Sequence, residues 1–359
     1  MQNSAVDKWR FHGQSLLPIC LWSSLAFSFS LAAEQNWFPV EVQADGKTLE
    51  YQPLEKISKA WRLCALLPHG KDHYWWGVSW GLAEEAKRQG VQLGIYEAGG
   101  YENLPRQRQQ LLDCVSNKAD ALIIGAISSE GLNDLIAQLK DAGIPVIDLI
   151  NGINSDAITA RSSVSFADMA TKSMLYLLQH SQQSSIDLAW FPGPVVAAWV
   201  QDAERGLKQT LQGSEVKLLH GGYGATDNFS QATLVRQLFS REQPDYVLAN
   251  AVAASVAQNF LSAENLTKVA VMAYYANPDV VRLIQQGQLL AAATDSPVIQ
   301  ARISIDLALR VLEKQAYARQ VSPQIRILDP KSIQELPLQQ IIAPKQQWMI
   351  RQPLSAPTP

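Results

Sequence analysis

Ala119-Asp120-Ala121-Leu122-Ile123-Ile124 and, past an amphipathic stretch, Ala142-Gly143-Ile144-Pro145-Val146-Ile147-Asp148-Leu149-Ile150 decide the fold. Both are unbroken apolar runs of strand length. Between them, residues 129–142 carry apolar positions at helical spacing, with Gly143 as the cap. Strands without polar alternation are covered on both faces, as in a parallel sheet. A strand, a helix and a second such strand form a βαβ unit.

Working outward, the alternation continues in both directions. Upstream, Arg62-Leu63-Cys64-Ala65-Leu66-Leu67 reads as a strand ending at Pro68. A helix is predicted over 75–89 and stopped by Gly90, then a strand over 91–96 and a helix over 104–117. Downstream the pattern restarts. Strands are predicted at 163–165, 187–191, 216–219, 246–250, 269–273 and 289–293. Helices are predicted at 167–180, 197–211, 229–240, 251–263 and 279–286, then 299–313, before a last apolar run at 324–328. The fold class is therefore α/β, with two doubly wound parallel-sheet lobes. Residues 34–59 read as an irregular arm before the first lobe, and the Pro/Ser/Thr-rich end from Pro353 reads as loose.

Composition agrees. A chain of 359 residues suggests two domains. Its 47% apolar content supports a large core and excludes general disorder. With 30 Lys+Arg against 33 Asp+Glu and no basic cluster, a nucleic-acid surface is not expected. Lys8 and Arg10, then the apolar runs Leu16-Leu17-Pro18-Ile19-Cys20-Leu21-Trp22 and 25–31, then Ala32-Ala33, have the order of a secretory signal peptide. Residues 1–33 are assigned to it, with a retained membrane anchor as the alternative. Pro18 and the serines favour removal, leaving an exported chain without direct membrane insertion. Removal takes Cys20 and leaves Cys64 and Cys114. The reading favours two buried thiols, with one disulfide as the alternative.

In open α/β sheets ligands bind at the carboxyl ends of strands, so residues just past each strand are the candidates. There the chain resembles a known family. Leu66, Pro68, His69, Tyr74-Trp75-Trp76, Gly81, Glu84-Glu85-Ala86 and Gly90 resemble the opening of type I periplasmic binding proteins of the ribose-binding kind. The Ala-Asp-Ala-apolar and Ala-Gly-Ile-Pro-Val segments, Gly193, Ala203-Glu204-Arg205-Gly206-Leu207, 246–250 and Ala292-Ala293-Thr294-Asp295-Ser296-Pro297 fit the same family, over about residues 60–328. The resemblance implies a periplasmic ligand-binding protein rather than an enzyme, without cofactor or metal. It implies a three-stranded hinge with crossings near 154, 295 and 319. The first lobe would hold 60–154 and 295–318, the second 155–294 and 319–330, with 331–359 as a tail.

In that family two aromatics before the first helix stack on a sugar, which implies ligand contacts from Tyr74 and Trp75. Here the polar sugar clamps are missing: Ile150-Asn151 stands where relatives carry Asp-Arg, and Tyr274-Tyr275 replaces an Asp. Rings take their place, with Trp199, Tyr275, Tyr101 and Tyr223 as candidates. Asn250 matches a polar ligand contact of the family, Asp295 a hinge position that touches ligand, and Asp72 a carboxylate two residues before the ring pair. Several rings with few donors suit a methylated cation or dipole. Trp, Tyr and Asn groups could donate to an N-oxide oxygen. The chain resembles family members that bind trimethylamine N-oxide and act with the periplasmic domain of a membrane sensor histidine kinase in regulating N-oxide respiration. The binding component of an uptake transporter for a sugar or small methylated amine is the alternative.

Other motifs carry less. Gly77-Val78-Ser79-Trp80-Gly81 has the spacing of a hydrolase elbow, but Ser79 lies within a helical pattern, away from a strand end. His69 and His73 flank a loop with no third metal ligand nearby in sequence. A repressor of the same fold would need an N-terminal helix-turn-helix, where this chain has the apolar leader.

Overall fold

The computed structural model describes residues 37–355 except 182, 184 and 345–349. The proposed signal peptide lies outside the described residues. No described helix is long and apolar enough to cross a membrane.

The first sheet is built around β3 (Arg62–Leu67), whose near-total burial follows from its unbroken apolar run. The chain continues through α1 (His73–Gln89), β4 (Gln92–Glu97), α2 (Leu104–Ser116), β5 (Ala121–Ile124), α3 (Asn133–Asp141), β6 (Val146–Leu149) and β7 (Ala160–Ser162). These strands pair in parallel in the order β7-β6-β5-β3-β4. The second sheet follows with α4 (Phe166–Ser181), β8 (Ile186–Phe191), α5 (Ala198–Thr210), β9 (Val216–His220), α6 (Asn228–Phe239), β10 (Tyr246–Ala249), α7 (Ala251–Ala263), β11 (Ala270–Ala273), α8 (Pro278–Gln285) and β12 (Ala291–Thr294). Its strands pair in parallel in the order β12-β11-β10-β8-β9. Helix α9 (Pro297–Leu312) then packs against α1 beside the first sheet. Strand β13 (Gln320–Pro323) pairs parallel to β7, and β14 (Arg326–Leu328) closes the second sheet antiparallel to β12.

The chain thus passes between the sheets three times, after β7, after β12 and after β13. The strand expected at 163–165 forms instead at Ala160–Ser162 and belongs to the first sheet, as does β13. Two of the crossings therefore fall later than 154 and 319. A three-residue strand has no periodicity to read; its pairing with β6 and β13 fixes it.

Three further expectations change. The arm is not irregular: β1 (Val40–Ala44) and β2 (Lys47–Tyr51) form a hairpin that joins the first sheet antiparallel to β13. It is anchored by Trp37, whose Nε1 donates to the buried Glu85 at 2.7 Å, and by Tyr51, whose hydroxyl donates to the buried Asp306 at 2.5 Å. These are partners distant in sequence, which local patterning does not reveal. Cys64 on β3 and Cys114 on α2 are joined as a disulfide, not left as thiols. Both are fully buried in the apolar cluster between the first sheet and its helices, 6.1 Å apart at Cα, within bridging reach. Part of the end expected to be loose is ordered too: Leu354 is buried and its amide donates to the Tyr96 hydroxyl at 3.0 Å.

Candidate ligand-binding site

The cavity lies between the lobes, at the carboxyl ends of strands from both sheets. Its free volume is about 20 Å³, and it is lined by Asp72, Tyr74, Trp75, Tyr101, Ile150, Asn151, Phe166, Trp199, Thr226 and Tyr275. That is far below the roughly 300–1,000 Å³ of sites for drug-sized molecules.

Each lining residue follows from local chain chemistry. Asp72 caps α1, its Oδ1 accepting from the Tyr74 amide at 3.0 Å, so Tyr74 and Trp75 enter the cavity on the first helical turn. Trp75 packs against Gly125, where a Cβ would lie 3.0 Å from the ring. Trp199 opens α5 in the second lobe and lies against Gly193, where a φ of +125° and a Cβ that would fall 2.8 Å from the ring both require glycine. Past β6 the chain turns through Ile150 at φ +68°, with the Asn151 amide donating to Leu149 O at 2.8 Å. A β-branched residue in the left-handed region costs about 1–3 kcal/mol and is held there by its surroundings.

The rings form a continuous cage. Tyr74 meets Trp75 and Tyr275 edge-on, at centroid distances of 5.5 and 5.4 Å. Trp199 meets Tyr275 at 5.7 Å and Phe166 at 5.6 Å. Polar contacts cross the cleft. Asp72 accepts from Asn277 Nδ2 (2.9 Å) and the Tyr275 hydroxyl (3.3 Å), both of the second lobe. The Tyr101 hydroxyl accepts from Asn151 Nδ2 (3.0 Å) and, across the cleft, from Trp199 Nε1 (2.9 Å). His69 Nε2 lies 3.3 Å from Thr226 Oγ1, and His73 lies 3.1 Å from Asp279. Burial pushes the Tyr74, Tyr101 and Tyr275 hydroxyls up, and pushes His69 down, so these groups are neutral at ordinary pH.

Among the residues expected at the site, Asp72, Tyr74, Trp75, Tyr101, Trp199 and Tyr275 are brought together around this cavity. Asp295 stands behind it: its Oδ2 accepts from the Tyr74 hydroxyl and from Gln300 Nε2, both at 2.5 Å. Its other oxygen is buried without a hydrogen bond among the described residues, and burial raises the carboxyl to about 6. Two expectations are corrected. Tyr223 is half-exposed on the outer rim, donating to Glu204 at 2.8 Å beside His220. Asn250 is consumed as the cap of α7, accepting from the Ala253 amide at 2.9 Å while its Nδ2 donates to Phe191 O. Phe166 and Thr226 were not anticipated. Asn151 was noted only as a departure, although its place just past β6 was signal enough. Ser79 is buried inside α1, and no group of acidic, His or Cys residues suited to a metal occurs among the described residues.

A family model described as a periplasmic binding protein domain matches residues 64–316, and the chain belongs to the type I periplasmic binding proteins. The periplasmic protein TorT of Escherichia coli K12 is 32% identical over 291 residues, covering 80% of this chain and 84% of TorT. Among solved structures, a solute-binding protein of an ABC transporter from Bradyrhizobium sp. BTAi1 with bound bis-tris is 41% identical at a TM-score of 0.76, covering 87% of this chain and 97% of that one. The complex of TorT with the TorS sensor domain in the presence of trimethylamine N-oxide matches at 28% identity and a TM-score of 0.72, covering 80% and 98%.

Proposed function

We propose that this chain is a periplasmic, non-catalytic binding protein for trimethylamine N-oxide. In this reading it relays occupancy of the cleft to the periplasmic domain of a membrane sensor histidine kinase, in control of N-oxide respiration. The observation that carries the reading is the small cage of Tyr74, Trp75, Trp199, Tyr275 and Phe166, closed from both lobes around the Asp72 carboxylate and the Tyr101 hydroxyl. Ring faces attract the positive methylammonium end of such a dipole. Both lone pairs of the Tyr101 oxygen are engaged by donors, so its own proton is available to the N-oxide oxygen. Contacts made by both lobes at once couple binding to closure. If closure also forms the sensor's docking face, ligand and sensor tighten each other. The relation to TorT supports the same ligand and partner.

The second reading is the binding component of an uptake transporter, favoured by the 41% identity to the Bradyrhizobium protein. Calorimetric titration of the mature chain with trimethylamine N-oxide, betaine, choline, ribose and galactose, with and without the sensor domain, separates the two. Heat selective for the N-oxide and enhanced by the sensor is expected. Heat from a sugar alone would overturn the cage reading. Trp75→Ala should abolish N-oxide binding. Because the change also removes a buried ring at about 3–5 kcal/mol, Trp75→Phe serves as the milder variant and should weaken binding without that loss.

A further inference from the structure

Past the end of the family match at residue 316, residues 350–355 lie along the outer edge of the first sheet, beside β4. Gln352 exchanges both backbone hydrogen bonds with Ile95, at 2.6 and 2.9 Å, and its Nε2 donates to Leu93 O. Leu354 is buried in the cluster that holds the disulfide, and its amide donates to the Tyr96 hydroxyl. Its seat exists because residue 94 is glycine: a Cβ there would come within 2.8 Å of Leu354. Arg62 Nη2 donates to Ser355 O at 2.6 Å.

This segment also grips the two first-lobe loops that supply the cavity. Residues 68–72 lead to Asp72, and Ile350 packs where a Cβ on Gly70 would lie 2.9 Å from it. Residues 98–101 lead from β4 to Tyr101. Arg351 Nε donates to Glu97, the last residue of β4, at 2.6 Å, with a second contact from Nη2. The loops are tied to each other by Gly100 N to Pro68 O at 3.0 Å and by Lys71 to Glu102 at 3.4 Å. Residues 350–352 therefore touch the roots of both loops.

We propose that residues 350–355 are a positioning strap. Held at the sheet edge by Gln352 and Leu354, they fix the loops bearing Asp72 and Tyr101 and so hold the first-lobe half of the cavity in its binding geometry. The role of the loops rests on the cavity being the binding site; the strap's hold on them does not. Fixing the loops in advance removes an ordering cost from binding.

The test compares the full chain with Arg351→Ala, Arg351→Lys and a chain ending at residue 349, by hydrogen exchange without ligand and by titration with trimethylamine N-oxide. In Arg351→Ala and the truncated chain, amides of 68–72 and 98–101 should exchange about tenfold faster with β8–β12 unchanged, and the N-oxide Kd should rise about tenfold. Arg351→Lys should recover part of both, and the synthetic peptide of residues 350–355 added to the truncated chain should restore protection. Unchanged exchange in the two loops, or equal acceleration throughout the molecule, would overturn the proposal. If the full chain gives no heat with the N-oxide, the ligand reading fails while the exchange comparison still decides the strap.

Discussion

Asp295 shows how one buried group ties the hinge to the cavity. Its carboxyl stands at about 6 in the folded protein, against 3.8 ordinarily, because burial disfavours its charge more than Tyr74 and Gln300 favour it. The folded state thus holds a proton that the unfolded state releases. Stability should fall as pH rises from about 4 to about 6, by on the order of 3 kcal/mol, and level off above. Denaturant unfolding across that range should show the decline, and Asp295→Asn should remove it. Of the residues that line the cavity, Tyr74, Trp75 and Tyr275 were legible because they follow strands that the apolar runs announce. Tyr223 and Asn250 follow strands as well, and no local signal separates a ring facing a cleft from one facing solvent, or a ligand contact from a helix cap. Glu204 takes the first and the Ala253 amide the second.

At the level of elements, α1 and α8 face each other across the cleft through His73 and Asp279. The hydrogen bond to Asp279 raises His73, and the same bond lowers Asp279; Asp72 and Arg282 are the other charges acting on the pair. The His73 contribution is full below about 6.5 and is lost as pH rises through its raised value. That of Asp279 is present above about 3.8 and is lost as pH falls through its lowered value. The contact is therefore strongest between about pH 4 and 6.5. Both side chains are half-exposed, so the effect is modest: ligand Kd should rise about twofold between pH 6 and 8, and Asp279→Asn should flatten the profile. The helices and strands themselves were largely readable, since the parallel sheets are made of unbroken apolar runs. The hairpin β1–β2 was not, because its registry is set by β13 and its anchors are Glu85 and Asp306, far along the chain. The disulfide between β3 and α2 closes a 50-residue span. Its loss in Cys64→Ala/Cys114→Ala should cost about 2–4 kcal/mol in chemical unfolding while leaving ligand Kd unchanged.

Across the whole molecule, the lobes meet through Asp72–Asn277, Tyr101–Trp199, His69–Thr226 and His73–Asp279, with the cavity at their centre. A ligand that bridges them stabilises the closed chain by mass action. At a hundredfold excess over Kd the gain is about 2.7 kcal/mol, which should raise Tm by about 4 °C in a thermal melt. Ribose should leave Tm unmoved if the cage is selective. The topology also governs the order in which the two lobes are completed as the chain folds from its N-terminal end. Strand β13 sits between β1 and β7, so the first sheet stays divided until residue 323 has been made, whereas β8 to β12 come from one continuous stretch. Until then the facing edges of β1 and β7 lack the strand that seals them. The lobe that begins first is finished last, and in that interval its two open edges are where a growing chain most needs protection from pairing with a neighbour.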